Sequence, residues 1–496
     1  MNPDQLLIKE PKWKAEDLGS PLPASIHANS VCLPHLQDVI DYEEKNPRVI
    51  KRLQAGYPRF VIPPSCARLF DLCRAKFGQT GELCLAYPTE TIARRAADYT
   101  ARWSERPVRV VPWGQGRVHI VFFPADAETA ALKYWRHTGE GISSRQAEAL
   151  LKGQKESFPV EARTRLVQRI AGHAGVPADC VYLFKSGMAA IYAMYRAVMR
   201  LRPEGVGVQF GFPYVDTLKI LEGFGHRSAF FPLGNANDLK MLQRMVMIDE
   251  LSAIFTEFPS NPLLNSPDLH ALSQLCRRCR IPLIVDDTIS SWYNTDVLKV
   301  ADASVASLTK YVAGRGDLMS GVAILNPQAP SYAVLRGALR EEYEDCNWGE
   351  NIALLDQYAT DFTERMERVN RTTAEVCAWL HQHPLVKTVY YPAYQTRELY
   401  DALRKPGGGY SGLFSILLHE AATRTAPFYN HLAFNKGPNL GTTFSLCCPY
   451  TLLAHYDELD WARQCGVSRH LLRFSIGLEE PADLIARLEK AFAAIA

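Results

Sequence analysis

Residues 301–321 read ADASVASLTKYVAGRGDLMSG. The first six are small, with one β-branched valine, and make a strand-sized run. Two hydroxyls, a lysine and glycines at 314, 316 and 321 then follow at once. The same pattern, a short apolar run closed by small, polar or charged residues, recurs upstream in VYLF (181–184), VGVQF (206–210), AIFTEF (253–258) and PLIV (282–285). The spacing between these runs is helical. Short apolar runs alternating with helical stretches predict parallel strands joined by crossover helices, hence a mostly parallel, doubly wound α/β domain.

In such a sheet, ligands bind beyond the carboxyl ends of the strands, where loops and helix N-termini converge. The residues that follow each run therefore test for a site. They are Lys185, Ser186, Gly187 and Met188; then Tyr214 in GFPYVDT; then Asn261 in PSNP; then Asp286, Asp287 and Thr288; and last Ser307, Thr309 and Lys310. Taken singly, each is ambiguous. A small-residue turn into a helix is either tight packing or an anion seat, an aspartate ending a strand is often a turn residue, and a lysine is usually solvated.

Taken together, they fit a phosphate-bearing cofactor with a ring nitrogen and a need for a lysine amine, which describes pyridoxal 5'-phosphate. Lys310 would hold it as a Schiff base and act on protons. Asp286 would keep the ring nitrogen protonated, with Thr288 beside it. Ser186, Gly187, Met188, Ser307 and Thr309 would cradle the phosphate. Tyr214 would stack on the ring and shuttle protons, and Asn261 would bond the phenolic oxygen. Free lysine has a pKa of about 10.4, so a catalytic Lys310 needs a desolvated or cationic setting.

The rest of the chain bounds the reading. It has 496 residues, 47% hydrophobic and 22% charged, with a formal net charge of +2. That balance offers no electrostatic footprint for nucleic acid or an anionic membrane, so a small-molecule partner is expected. No apolar run approaches the roughly 18 residues of a membrane span, and MNPDQLLIKEPKWK has no apolar signal core, so a soluble cytoplasmic protein is the expectation. The twelve cysteines lack framework spacing and read as reduced thiols. Cys276 and Cys279 in LCRRCR read as packing, and no metal site is expected.

Four regions are expected: an extended, proline-rich arm over 1–70, an inserted α+β segment over 71–165, a large cofactor-binding domain over 166–325, and a smaller C-terminal α/β domain over 326–496. Ser266 and Pro267 predict a helix start, and residues 356–383 read as one long amphipathic helix. Near the end, LLRFSIGLE reads as a strand. Arg473 within it is either the grip for a planar anion or half of a buried ion pair.

The ordered set SGMAA, PYVDT, PSNP, VDDT, SLTKY and RFSIGLEEPADLI resembles the cysteine and methionine metabolism family of pyridoxal-phosphate enzymes. HANSVCLP, GYPRF and the long insertion that follows are most similar to its fungal cystathionine γ-synthase branch. The resemblance implies the fold type I, aspartate aminotransferase-like architecture. It also implies self-association as a dimer or tetramer, with Tyr57 and Arg59 of GYPRF reaching across the interface to a neighbour's cofactor. Arg473 would grip the substrate α-carboxylate, assisted by Asn439 where the family often has serine. Asp287 replaces an asparagine common among relatives and is expected near the same pocket.

The implied reaction is γ-replacement on an O-acyl-L-homoserine, O-acetyl first, through a vinylglycine ketimine, with a thiol nucleophile. Alternatives that use the same residues are a carbon or nitrogen nucleophile in secondary metabolism, a sulfhydrylase, and a γ-lyase. An alternative of another class is a non-catalytic scaffold that binds the cofactor.

Overall fold

The computed structural model describes residues 3–114 and 116–495. Thr89 caps the helix Glu90–Ser104 by accepting from the amide of Ile92 at 3.3 Å. This helix packs on a small antiparallel sheet of β1 (Glu82–Tyr87), β2 (Arg109–Trp113) and β3 (Val118–Pro124), in the order β1-β3-β2. The helix Pro64–Phe77 runs through residue 70, carrying the chain from the arm into this unit without a break. Tyr134, Trp135, Tyr87 and Phe122 of the unit share one apolar core with Tyr192, Ile220 and Leu221.

The expected doubly wound sheet has seven strands: β4 (Val181–Phe184), β5 (Val206–Phe210), β6 (Ser228–Phe231), β7 (Leu251–Glu257), β8 (Leu283–Asp286), β9 (Ala303–Ala306) and β10 (Gly321–Leu325). Their order is β4-β10-β9-β8-β7-β5-β6, and β10 alone runs against the others. The physical reason lies in residues 307–320, which turn back without a crossover helix and lay β10 directly beside β9. The other six carboxyl ends therefore share one edge.

The C-terminal region forms a second sheet of β11 (Val386–Tyr390), β12 (Leu413–Leu418), β13 (Asn435–Lys436), β14 (Leu446–Cys448) and β15 (Leu472–Ser475). Its order is β11-β12-β15-β14-β13, and only β13 and β14 pair in parallel.

Two sequence expectations change. The helix expected from Ser266 begins at Leu269, capped by Asp268, whose carboxylate accepts from the Ala271 amide at 2.9 Å. The helix expected over 356–383 is broken: Gly349–Tyr358 and Phe362–His381 are joined by the 3-10 turn Ala359–Asp361. Asp361 stands at the break and accepts from Arg365 at 2.7 Å and from Arg315 at 2.8 Å. Arg315 thus ties the glycine-rich loop after Lys310 to the helix behind it. Asp317, in the same loop, pairs with Arg145 at 2.9 Å.

Asp361→Ala removes both pairs and should lower stability by about 1–3 kcal/mol in urea unfolding, because Arg365 is buried. Asp460→Ala, which breaks an exposed pair with Arg463, should change it by less than about 0.5 kcal/mol. Equal effects of the two substitutions would refute the special place given to Asp361.

Candidate active site

The shared edge of carboxyl ends opens on a cavity of about 460 Å³. Ser186, Gly187, Met188, Tyr214, Asn261, Asp286, Thr288, Ser307, Lys310 and Arg473 all line it, together with Tyr57 and Arg59 of the arm. Helix Gly187–Leu201 points its N-terminus at the cavity; Ser186 caps it, accepting from the Ala189 amide at 3.0 Å and donating to the Gly139 carbonyl at 3.0 Å. A Cβ on Gly187 would come within 2.8 Å of the Ser307 Cβ, so only glycine lets these two turns meet.

Lys310 is half-buried at the cavity wall, and its amine donates to Asn439 Oδ1 at 2.5 Å and lies 4.6 Å from the Tyr57 ring centroid. Burial, then Arg473 and Arg59, hold its pKa well below the ordinary lysine range. The sequence left this setting open.

Two acids, the buried Glu257 and the half-buried Asp286, stand together on the cavity wall. Glu257 and Asp286 are register partners at the ends of β7 and β8. Glu257 accepts from the amides of Tyr214 and, at 3.0 Å, Asn261; Asp286 accepts from the Thr288 amide at 2.9 Å. Burial raises both carboxyl pKa values, and the Asp286 charge raises that of Glu257 further. Among the described residues neither acid has a salt-bridge partner.

Arg473 donates to Asn261 Oδ1 at 3.2 Å and to the carbonyls of Pro438 at 2.6 Å and Asn439 at 3.3 Å, and its guanidinium lies 4.7 Å from the Tyr450 ring centroid. No protein carboxylate among the described residues pairs with it, so the ion-pair alternative for this buried arginine is not realised.

Several expectations shift. Thr309 does not face the cavity: its hydroxyl donates to the Ser320 carbonyl at 3.2 Å and accepts from the Ser320 amide at 3.0 Å, because the returning β10 brings Ser320 against it. Asp287 also lies away from the cavity wall; it accepts from Ser304 Oγ at 2.8 Å inside the sheet, and burial pushes its carboxyl up to about 8. Asn439 is held by Lys310 on one side and donates to Asn29 of the arm at 2.7 Å on the other. Tyr57 and Arg59 line the cavity of the chain that carries them, Tyr57 beside Lys310 and Arg59 against Tyr214 and Asp216.

A lysine amine of lowered basicity, an uncompensated acid pair, a helix N-terminus and an arginine without a carboxylate form one donor set. It fits pyridoxal phosphate: the acids suit a cationic ring nitrogen, and the helix end suits the phosphate. Residues 162–493 match the family described as Cys/Met metabolism PLP-dependent enzyme. The chain belongs to that family. It is accordingly an enzyme that uses pyridoxal phosphate. Residues 65–143 match a second description, the N-terminal domain of fungal trans-sulfuration enzymes.

The chain is 33% identical to a cystathionine gamma-synthase of Neurospora crassa, covering 95% of this chain and 97% of that one. It is 32% identical to the L-2-amino-4-chloropent-4-enoate dechlorinase/desaturase of Streptantibioticus cattleyicolor, covering 94% and 96%. The crystal structure of metB from Corynebacterium glutamicum superposes with a TM-score of 0.59 at 25% identity, covering 67% of this chain and 84% of that one. The fold is that of the pyridoxal-phosphate-dependent γ-synthases and lyases, with a mixed, mostly parallel central sheet. Among the described residues no helix is long and apolar enough to cross a membrane.

Sequence reasoning missed Glu257, Asp216, His137 and Tyr450, all on the cavity wall. Glu257 ends the AIFTE run, the same kind of position that drew attention to Asp286, and Asp216 stands two residues after Tyr214, so both carried a signal. His137 lies in the insertion and carried none.

The native Asp287 carboxyl keeps its proton to about pH 8, against an unfolded value of 3.8, so the folded state binds more protons between these limits. Stability is therefore lost as pH rises from about 4 to about 8. Asp287→Asn should raise the melting temperature by roughly 2–4 °C at pH 8.5 and leave it nearly unchanged at pH 4. The same shift at both pH values would refute the assignment.

Proposed function

We propose that the protein catalyses γ-replacement on an O-acyl-L-homoserine, O-acetyl first, with a thiol as nucleophile. The observation that carries this reading is the presence of Lys310 and Arg473 side by side in one cavity, both bonded to Asn439: an amine of lowered basicity beside a buried guanidinium with no carboxylate of its own. An α-amino acid has the amine and carboxylate that such a pair would take. The similarity to the Neurospora crassa cystathionine gamma-synthase supports the choice of ester and thiol.

Bound pyridoxal phosphate supplies an electron sink that stabilises negative charge at the substrate α-carbon. The chain's residues do the rest. Arg473 would grip the α-carboxylate and orient the substrate, assisted by Asn439, which also bonds the Lys310 amine when that amine is free. Lys310, its basicity lowered by desolvation and by the two arginines beside it, takes the Cα proton. With Tyr214 it then takes a proton from Cβ, so that the γ-acyloxy group can leave as a carboxylate, and returns one to Cβ after the thiol has added at Cγ. Asp286, with Glu257 behind it, holds a proton at the ring nitrogen, and Thr288 orients Asp286. Ser186, Gly187, Met188 and Ser307 seat the phosphate at the helix N-terminus, with Tyr57 and Arg59 closing that end, while Asn261 orients both Arg473 and the ring oxygen.

A second reading keeps these residues and changes the partner: a carbon or nitrogen nucleophile, or elimination with none. The similarity to a dechlorinase/desaturase favours it. So does the length of the cavity, which runs past Lys310 to Glu43, Lys45, Asp457 and Glu458.

Purified protein given O-acetylhomoserine with cysteine, sulfide, amines and enolisable carbonyls should release a thioether amino acid by mass. Release of 2-oxobutyrate alone under every condition would overturn γ-replacement in favour of a lyase. Lys310→Ala should abolish the visible absorbance of lysine-bound cofactor, and survival of that band would refute the anchor. Arg473→Ala should lower kcat/KM by about 10²-fold or more, chiefly through KM, while leaving that absorbance in place.

A further inference from the structure

The arm tip is pinned on both sides by the chain that carries it. Trp135 Nε1 donates to the Pro58 carbonyl at 3.2 Å, between Tyr57 and Arg59. Arg59 donates to the Arg136 carbonyl, to the Tyr214 hydroxyl and, at 2.5 Å, to Asp216 Oδ2. The other oxygen of Asp216 meets His137 Nδ1 at 2.7 Å. Two residues further on, the Gly139 carbonyl accepts from Ser186, the cap of the phosphate-facing helix. Residues 135–139 of the inserted segment therefore touch the arm, the helix after β5 and the helix after β4 in one pass.

Chain length allows little else. Only residues 61–63 separate Phe60 from the helix Pro64–Phe77, a reach of about 11 Å at full extension. That helix buries Cys66, Leu69 and Phe70 in the core that also holds Tyr134, Tyr192 and Leu221. On the other side of the tip, the Asn29 amide donates to the Gly316 carbonyl at 2.8 Å, and Asn29 itself bonds Asn439. For Tyr57 and Arg59 to enter another chain's cavity, the inserted segment would have to leave its own core with them, exposing a contiguous aromatic surface.

We propose that each chain completes its own active site, the inserted segment holding Tyr57 and Arg59 in the cavity of the chain that carries them, with His137 as the positioning residue that sets Asp216 against Arg59. The inserted segment thereby stands in the place where a partner subunit would otherwise contribute, and self-association brings together sites that are already whole. The inference rests on the reading of Lys310 as the cofactor's anchor.

The test uses full-length chains. Arg59→Ala and Lys310→Ala chains carrying different tags are co-expressed, and mixed particles are isolated through both tags while the mass of the wild-type holoenzyme is measured by light scattering. A wild-type particle of one chain with full cofactor absorbance and activity supports the proposal. If particles are larger, mixed dimers should show no more activity per Lys310-bearing chain than the Arg59→Ala parent. Their cofactor affinity should remain weakened tenfold or more, read by cofactor fluorescence on dilution. Recovery to half of the wild-type activity, with wild-type cofactor affinity in half the sites, would overturn it, as would a wild-type monomer that binds cofactor only on dimerising. A Lys310→Ala parent that retains the lysine-linked absorbance would instead refute the anchor and leave the origin of Arg59 to be read from cofactor affinity in the same mixture. His137→Ala should weaken cofactor affinity about tenfold with unaltered particle mass, and His137→Asn, which keeps a donor near Nδ1, should restore it. Failure of that rescue at normal folding would remove His137 from the proposal.

Discussion

The desolvated setting of the half-buried Lys310 amine, with no carboxylate beside it, is the constraint on which the site depends. A lysine brought out of water pays for ionisation unless an acid compensates, and here its charged neighbours are Arg473 and Arg59. Two of the cavity's acids, Glu257 and Asp286, stand instead at the ends of β7 and β8, register partners of each other and with no bond to the lysine. The lysine and this acid pair are thus kept apart, whereas Arg59 and Asp216 in the same cavity form an ion pair. Such an arrangement is costly when empty and is offset by a ligand that is anionic at one end and cationic in its ring.

The sheet makes that separation possible. Six strands deliver their carboxyl ends to one edge, so residues far apart in sequence converge there, while β15 of the second sheet presents Arg473 from the other side. The loop after Lys310 is anchored away from the cavity: Arg315 reaches Asp361 behind it, and Asp317 reaches Arg145 of the inserted segment. Gly441, with φ of +70°, lies so close to Lys310 and Tyr311 that an added Cβ would be 2.7 Å from the Tyr311 amide nitrogen. Position of the amine is set by packing from several elements at once.

The inserted segment changes how the arm is understood. Its backbone at Arg136 and Gly139 and its side chain at His137 meet the functional elements directly. Asp216 shows how tightly this is set: burial alone would raise its carboxyl, yet Arg59 and His137 hold it at about 2. An ion pair of this kind, buried and shared between arm, insertion and large domain, makes their relative placement specific.

Local sequence determined the strand runs from VYLF to ASVA, the polar residue at the end of each, and therefore most of the cavity wall, since a strand's last residue must emerge at the sheet edge whatever surrounds it. The ordered motifs carried the cofactor and family for the same reason: that chemistry needs those side chains at those ends. Only tertiary structure decided that Thr309 and Asp287 turn away, because a neighbouring strand and Ser304 claim their oxygens. It also broke the helix at Asp361, where two arginines from different elements converge on one carboxylate. And it placed Tyr57 and Arg59 within their own chain, a consequence of a shared core between segments more than a hundred residues apart, which no local periodicity encodes.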